Sequence, residues 1–386
     1  MAARLFRNDQ EPADYCPLGA APEHRLSQFE RLTLTGGRDL EKALAFIARQ
    51  IAGFSFHDFT LPALQEIPAR SAWYREGEFR RSPAYFFTPP GRPSVRETLV
   101  HGLRDGAILD LSFPSEYRSR HPQTLPMVPE NEVVHARLWQ HRDPAPATVV
   151  ALHGWTMGDQ RLNSLAFLPG IFYRLGLDVV LVELPFHGRR RPAVSSAEGL
   201  NGFVFPSPDI VRTNEALGQA ISDLRALRLH LEARGAREVG WMGMSLGAYV
   251  GALWSGLDES AFAVPIVPLV SMAEVAWDMI TRSPAFTEAP PDFDVELLRD
   301  AFAVHCPLSY PARLPRERAL LIAGIGDQIV PSRQPKLLWD HWRRPRIQWL
   351  SGGHEALFQR SRAFIQVVRF FEDLGYLAPG SFDTNR

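Results

Sequence analysis

Ser245 is the residue of this 386-residue chain best placed for covalent chemistry. It sits at the centre of Gly243-Met244-Ser245-Leu246-Gly247, behind an apolar run over 238–242 and ahead of another over 248–254. A serine on so sharp a strand-to-helix turn takes a strained backbone and needs small neighbours, and Gly243, Gly247 and Ala248 meet that need. A serine hydroxyl is a poor nucleophile at neutral pH. It requires a base to take its proton and an acid to orient that base. Downstream, the apolar run 318–323 leads into Gly324-Ile325-Gly326-Asp327, and the run 347–350 leads into Ser351-Gly352-Gly353-His354. Asp327 and His354 therefore stand just past the ends of short strands, in the chain order Ser, Asp, His that such a turn uses. By itself an aspartate such as Asp327 after a strand is more often a turn or capping residue, and a histidine after two glycines is ambiguous. Three such residues in this order, each at a strand end, are the pattern of acyl transfer from an ester-type carbonyl to water.

That chemistry also needs donors for the developing oxyanion. One is the backbone N–H of Leu246, next to the nucleophile. The second belongs to the loop after an earlier strand. The run Ala-Thr-Val-Val-Ala-Leu at 147–152 has the apolar, β-branched character of a buried parallel strand and ends in His153-Gly154-Trp155-Thr156-Met157-Gly158. The N–H of Trp155 is the expected second donor, with Thr156 as the alternative. His153 is read as a residue that bonds nearby backbone and shapes this loop, not as the base.

The elements that must position these groups follow from periodicity. Strands are expected at 108–113 and 133–139 as an antiparallel start, then at 147–152, 178–182, 238–242, 262–270, 318–323 and 347–350. Helices are expected at 163–175, 209–234, behind Ser245, from Glu355, and at 359–374. This alternation predicts an α/β fold with a mostly parallel, doubly wound sheet. Residues 1–95 read as an N-terminal extension with one amphipathic helix at 39–54, and 82–93 as a proline-rich linker. Residues 96–386 form the main domain. Two stretches, 186–207 and 271–315, are too long for simple connections and are expected to overlie the pocket as lid and small helical cap, the second with short helices at 273–280 and 295–304. Trp277, Met279, Phe286 and Phe302 would line the cap's underside, either as a wall for an acyl chain or as plain packing. Arg189 and Arg190, in the run Arg189-Arg190-Arg191-Pro192, are candidate contacts for an anionic head group. Since Lys42 and Lys336 are the two lysines of the chain, however, arginine stands here wherever any cation is tolerated, and solvated surface is the competing reading.

Together these motifs give the chain a resemblance to the serine hydrolases of the α/β-hydrolase superfamily. The likeness rests on His153-Gly154-Trp155, Leu184-Pro185-Phe186-His187-Gly188, Gly243-Met244-Ser245-Leu246-Gly247, Asp327 with Val330-Pro331, and Gly352-Gly353-His354, and covers roughly 108–376. Within the superfamily it is most similar to the family of α/β-hydrolase domain-containing protein 18, through Pro185-Phe186-His187-Gly188-Arg189-Arg190, Val267-Pro268-Leu269 and the run from Gly352 to Phe358. Glu183 departs from the Asp that many members carry before Leu-Pro. The resemblance implies an α/β-hydrolase fold and a Ser245–His354–Asp327 triad acting on a carboxylic ester, with a lipid or other apolar acyl ester preferred. A thioesterase, a peptidase or amidase, and a non-catalytic binding module on the same fold remain as alternatives.

Composition agrees with a large globular enzyme, at 45% hydrophobic and 22% charged residues. A net charge of −1 gives no electrostatic case for nucleic acid as partner. Cys16 and Cys306 are far apart and lack metal-ligand spacing, which suggests a reducing compartment; no metal or cofactor is called for. The first residues lack the apolar core of a secretory signal, and no apolar run approaches the roughly 18 residues of a membrane span, so a cytoplasmic location is expected. A small-molecule or lipid ester is the expected partner. The sequence is silent on oligomeric state.

Overall fold

The computed structural model describes residues 61–76, 83–119, 121–122, 128–193, 204–207, 209–281, 286, 293–327, 329–351 and 360–381. The helix expected at 39–54 and the loop carrying His354 lie outside these residues.

Among the described residues, nine strands form one sheet: β1 (Arg96–Gly102), β2 (Gly106–Pro114), β3 (Val133–His141), β4 (Thr148–Leu152), β5 (Asp178–Val182), β6 (Val239–Met244), β7 (Ala263–Ile266), β8 (Leu320–Gly324) and β9 (Arg346–Leu350). Their spatial order is β1-β2-β3-β5-β4-β6-β7-β8-β9. The first three and the β3–β5 pair run antiparallel, whereas every pair from β5 through β9 is parallel. Burial explains why the inner strands read as unbroken apolar runs. Val150, Leu152, Val180, Val182, Leu321 and Ala323 enter one core, and their neighbours Val149, Ala151, Val179, Leu181, Leu320 and Ile322 enter the other. Alternate residues thus feed opposite faces, both covered by helices.

The helices are α1 (Leu61–Glu76), α2 (Pro83–Phe86), α3 (Gln160–Phe167), α4 (Pro169–Arg174), α5 (Ile210–Ala233), α6 (Leu246–Leu257), α7 (Met272–Ile280), α8 (Val295–Phe302), α9 (Arg333–His341) and α10 (Arg360–Asp373). The single helix expected at 163–175 is two. Leu168 adopts a left-handed φ of 49° between them, and Pro169 opens the second helix, because the residue before a proline is driven out of the helical region. Asp159, Asp209, Ser271 and Asp294 cap α3, α5, α7 and α8 by accepting backbone N–H bonds, so these starts are local decisions.

Two segments behave differently from expectation. The proline-rich stretch 83–93 carries the buried aromatics Phe86 and Phe87, and Arg225 of α5 donates to the Phe87 carbonyl at 2.6 Å, so this stretch is anchored to the body. The cause is a pair of aromatic anchors that proline content conceals. Secondly, α1 packs on α5 and on α8. Arg70 bridges to Asp209 at 2.8 Å, and the Tyr74 hydroxyl donates to Glu215 at 2.7 Å. The N-terminal extension therefore supplies a helix that lies against α8, inside the segment 271–315. Among the described residues, no helix is long and apolar enough to cross a membrane.

Candidate active site

Ser245 follows β6 directly and precedes α6 with φ 54° and ψ −111°, a conformation costly for any residue with a Cβ. Its N–H donates to Ile266 O on β7 at 2.9 Å, and its carbonyl accepts from Tyr249 N–H at 3.0 Å, so sheet and helix together enforce the bend. The side chain is 8% exposed. Tight contact explains the flanking glycines. A Cβ on Gly247 would lie 2.0 Å from the Leu152 carbonyl oxygen, and one on Gly243 would lie 2.5 Å from the oxygen of Gly247. Gly247→Ala is therefore expected to destabilise the fold by about 3 kcal/mol or more, since backbone on both sides must shift. Chemical denaturation would show this as a lowered midpoint, and an unchanged midpoint would contradict the contact.

The loop after β4 abuts this turn. A Cβ built on Gly154 would stand 3.7 Å from the Cβ of Ser245 and 3.6 Å from the oxygen of Met244. Gly154 O accepts from Met157 N–H at 3.3 Å, and Thr156 takes φ 65°, the arrangement of a type II turn with Trp155 at its first corner. Trp155 is half-buried against the core. Leu246 is the first residue of α6, where an N–H has no partner within the helix. The two expected donors thus stand on adjoining segments at the strand C-terminal edge.

His153 shapes that loop. Leu184 N–H donates to its Nε2 at 3.0 Å, which leaves Nδ1 to donate to Gly154 O at 2.8 Å. Both ring nitrogens are occupied, and burial pushes its pKa down to about 3. His187 lies beside it, with ring centroids 5.0 Å apart, and burial lowers its pKa to about 4. His305 is likewise buried, with a pKa near about 3. In the unfolded chain these three titrate near 6.5, so from about pH 6.5 down toward 3 the unfolded state binds protons that the folded state refuses. Stability is expected to fall on acidification through that window, visible as a lower urea midpoint at pH 5 than at pH 7. Equal midpoints would contradict neutral burial.

Asp327 lies three residues past β8, is 5% exposed, and accepts Ile329 N–H at 2.9 Å and Val330 N–H at 2.7 Å on Oδ1. Those bonds fix the carboxylate at the same edge of the sheet as Ser245, two strands away. His354 is four residues past the end of β9, the next strand over, and lies outside the described residues.

The arginines of 189–191 meet a different fate from the anion contacts suggested by their run. Arg190 is buried: its guanidinium bonds Asp223 Oδ2 at 2.8 Å, Asn131 O at 2.9 Å and Glu183 O at 3.2 Å. Fully enclosed by the protein, it offers no open face to a head group; this corrects the substrate-binding expectation for Arg190. Arg189 is part-exposed and pairs with Glu183, its Nε at 2.9 Å and its backbone N–H at 2.7 Å. Glu183 also accepts from Gln160 at the start of α3 at 3.1 Å, so the acid before Leu184-Pro185 ties the helix after the 153–158 loop to the 188–190 turn. Nothing local in the sequence signals this role, because the contacts come from separate segments. Trp277 and Phe286 meet edge to face at 5.4 Å, and both pack against the core from the partly buried side. A cavity of about 330 Å³ lined by Gln140, His141, Asp178 and Arg234 opens at the opposite, N-terminal edge of the parallel strands, away from Ser245.

These features define a protein of the α/β-hydrolase fold. The structure is similar to acetyl xylan esterase 1 from Thermoanaerobacterium sp. JW/SL YS485, with TM-score 0.56 and 15% identity over 80% of this chain and 98% of that one. It is also similar to the acetyl xylan esterase from Paenibacillus sp. R4, with TM-score 0.54 and 13% identity over 79% and 98% of the two chains. No family model matches the sequence. The chain belongs to the same family as the uncharacterized protein Rv2627c of Mycobacterium tuberculosis strain H37Rv, to which it is 30% identical over 319 residues, 79% of this chain and 74% of that protein. Uncharacterized protein MT2702 of strain CDC 1551 matches over the same extent at the same identity.

Proposed function

We propose that this protein is a serine hydrolase that cleaves a carboxylic ester through an acyl-enzyme intermediate. The observation that carries this reading is the strained backbone of Ser245 at φ 54°, ψ −111°, enforced from two sides and abutted by the 153–158 loop. Such strain persists only where the surroundings impose it, and it clusters at working sites. In this reading Ser245 attacks the carbonyl as His354 takes its proton, and Asp327 orients and stabilises the imidazolium. The N–H groups of Leu246 and Trp155 hold the oxyanion, a contribution of several kcal/mol to the transition state. His354 then protonates the leaving alcohol and activates the water that frees the acid. Trp277 and Phe286 favour an apolar acyl group, and Arg189 remains a candidate at the rim. The motifs around Pro185 and Val267 support, within this reading, a likeness to the α/β-hydrolase domain-containing protein 18 family. That two solved proteins of this fold are acetyl xylan esterases is in keeping with ester chemistry.

A fluorophosphonate probe tests it. The native chain is expected to take the label on Ser245, and Ser245→Ala to take none. Labelling that survives in the variant would put the nucleophile elsewhere, and an unlabelled native chain would leave the fold as a binding scaffold.

A further inference from the structure

Three uncharged groups from three elements form one buried hydrogen-bonded chain where the segment 271–315 returns to the body. Asn214 on α5 donates from Nδ2 to Ala301 O on α8 at 2.9 Å, which leaves its Oδ1 as acceptor for His305 Nε2 at 2.8 Å. His305 therefore carries its proton on Nε2, and its Nδ1 accepts from the Tyr249 hydroxyl at 2.7 Å. All three side chains are fully buried. Tyr249 stands one turn beyond Ser245 on α6 and bonds the Ser245 carbonyl through its own N–H. Beyond His305 the chain runs along α6: Tyr310 packs on Gly256, and Arg313 N–H donates to Ser255 O at 2.7 Å.

An apolar side chain would fill the same volume, as Phe302 does beside the His305 ring at 5.4 Å. A hydrogen-bonded chain does more, because its direction and length are fixed and an unmade bond is costly at this depth. It joins the C-terminal end of α8 to the first turn of the nucleophile helix through one residue, His305.

We propose that Asn214, His305 and Tyr249 clamp α8, with α7 packed on it, against the helix that follows Ser245, and that these two helices act as a cap that sets which acyl chains reach the serine. The acyl-chain part rests on the hydrolase reading above. His305 is a positioning residue, acting through Tyr249 and Asn214 and not on the substrate. Tyr249→Phe removes one hydroxyl with little change of shape, and His305→Gln keeps one donor and one acceptor.

Amide hydrogen exchange on the full chain tests the clamp without reference to activity. In Tyr249→Phe the amides of α7 and α8 are expected to exchange about tenfold faster while those of α6 and β6 are unchanged, with a smaller effect in His305→Gln. Kinetics with p-nitrophenyl esters test the consequence. KM for the octanoate is expected to rise about tenfold, while kcat for the acetate stays within about twofold. Unchanged exchange in α7 and α8, or equal loosening of α6, overturns the clamp; equal losses on both esters overturn its role in selection. A native chain that takes no fluorophosphonate overturns the hydrolase reading, and the exchange result then still decides whether the clamp exists.

Discussion

Replacing Ser245 by alanine is expected to lower kcat for p-nitrophenyl ester hydrolysis by about four to six orders of magnitude, to the residue of catalysis left by the oxyanion donors and binding. KM should change little, because the hydroxyl acts on the transition state and not on ground-state binding. Ser245→Gly separates chemistry from strain. It is equally inactive, yet its backbone enters φ 54°, ψ −111° without a Cβ to clash, whereas Ser245→Ala keeps the clash. The glycine variant is therefore expected to be more stable than the alanine variant by about 1 kcal/mol, after the extra freedom glycine gives the unfolded chain is allowed for. Urea denaturation of the two variants measures this. An alanine variant as stable as the glycine one would mean that the turn holds no strain, and with it would go the main support for a nucleophile at this position.

Arg190→Met is expected to cost about 3–5 kcal/mol, because it leaves the buried carboxylate of Asp223 without its cation and takes a donor from the Glu183 carbonyl, while the Asn131 carbonyl keeps Gln219 Nε2 at 3.0 Å. Asp223 would keep the Ser115 hydroxyl, at 2.6 Å, as a donor, which moderates the loss and does not abolish it. The double variant Arg190→Met with Asp223→Leu should recover much of the stability, since neither charge is left alone in the core. Denaturation midpoints of the two single variants and the double variant give the coupling directly. A loss under about 1 kcal/mol for Arg190→Met would place the guanidinium in solvent and reopen a role in holding an anionic head group.

Much of the fold was legible because its signals are local. The strand at 178–182 matches β5, the long helix at 209–234 matches α5 with its Asp209 cap, and the runs before Ser245 and Asp327 are β6 and β8 within two residues at each end. The helices expected at 273–280 and 295–304 correspond to α7 and α8, and the structure shows each opened by a capping side chain one residue ahead. Less legible were β1, whose residues are all exposed and so carry no core-facing pattern, and the break at Leu168, where an apolar helical period continues across Pro169. The burial of Arg190 was hidden for another reason. A run of three arginines reads as solvated surface or as an anion contact, and nothing adjacent announces a carboxylate 33 residues further on.

From the sequence alone came the residues that perform the chemistry being proposed: Ser245 between its glycines, Asp327 behind a strand, His354 behind another, and the donors at Leu246 and Trp155. Sterics at a strand-to-helix turn and the placement of loops at strand ends act within a few residues, so order and spacing suffice to find them. Tertiary structure alone decided that Gly154 lies against Ser245, that α1 packs on α5 and α8, that Glu183 ties α3 to the 188–190 turn, and that His305 links α8 to α6. The first is a packing contact, and the others depend on hydrogen bonds between groups distant along the chain. Each bond forms only because leaving its partner dry and unpaired would cost more than the alternative, and that choice is made when the layers pack.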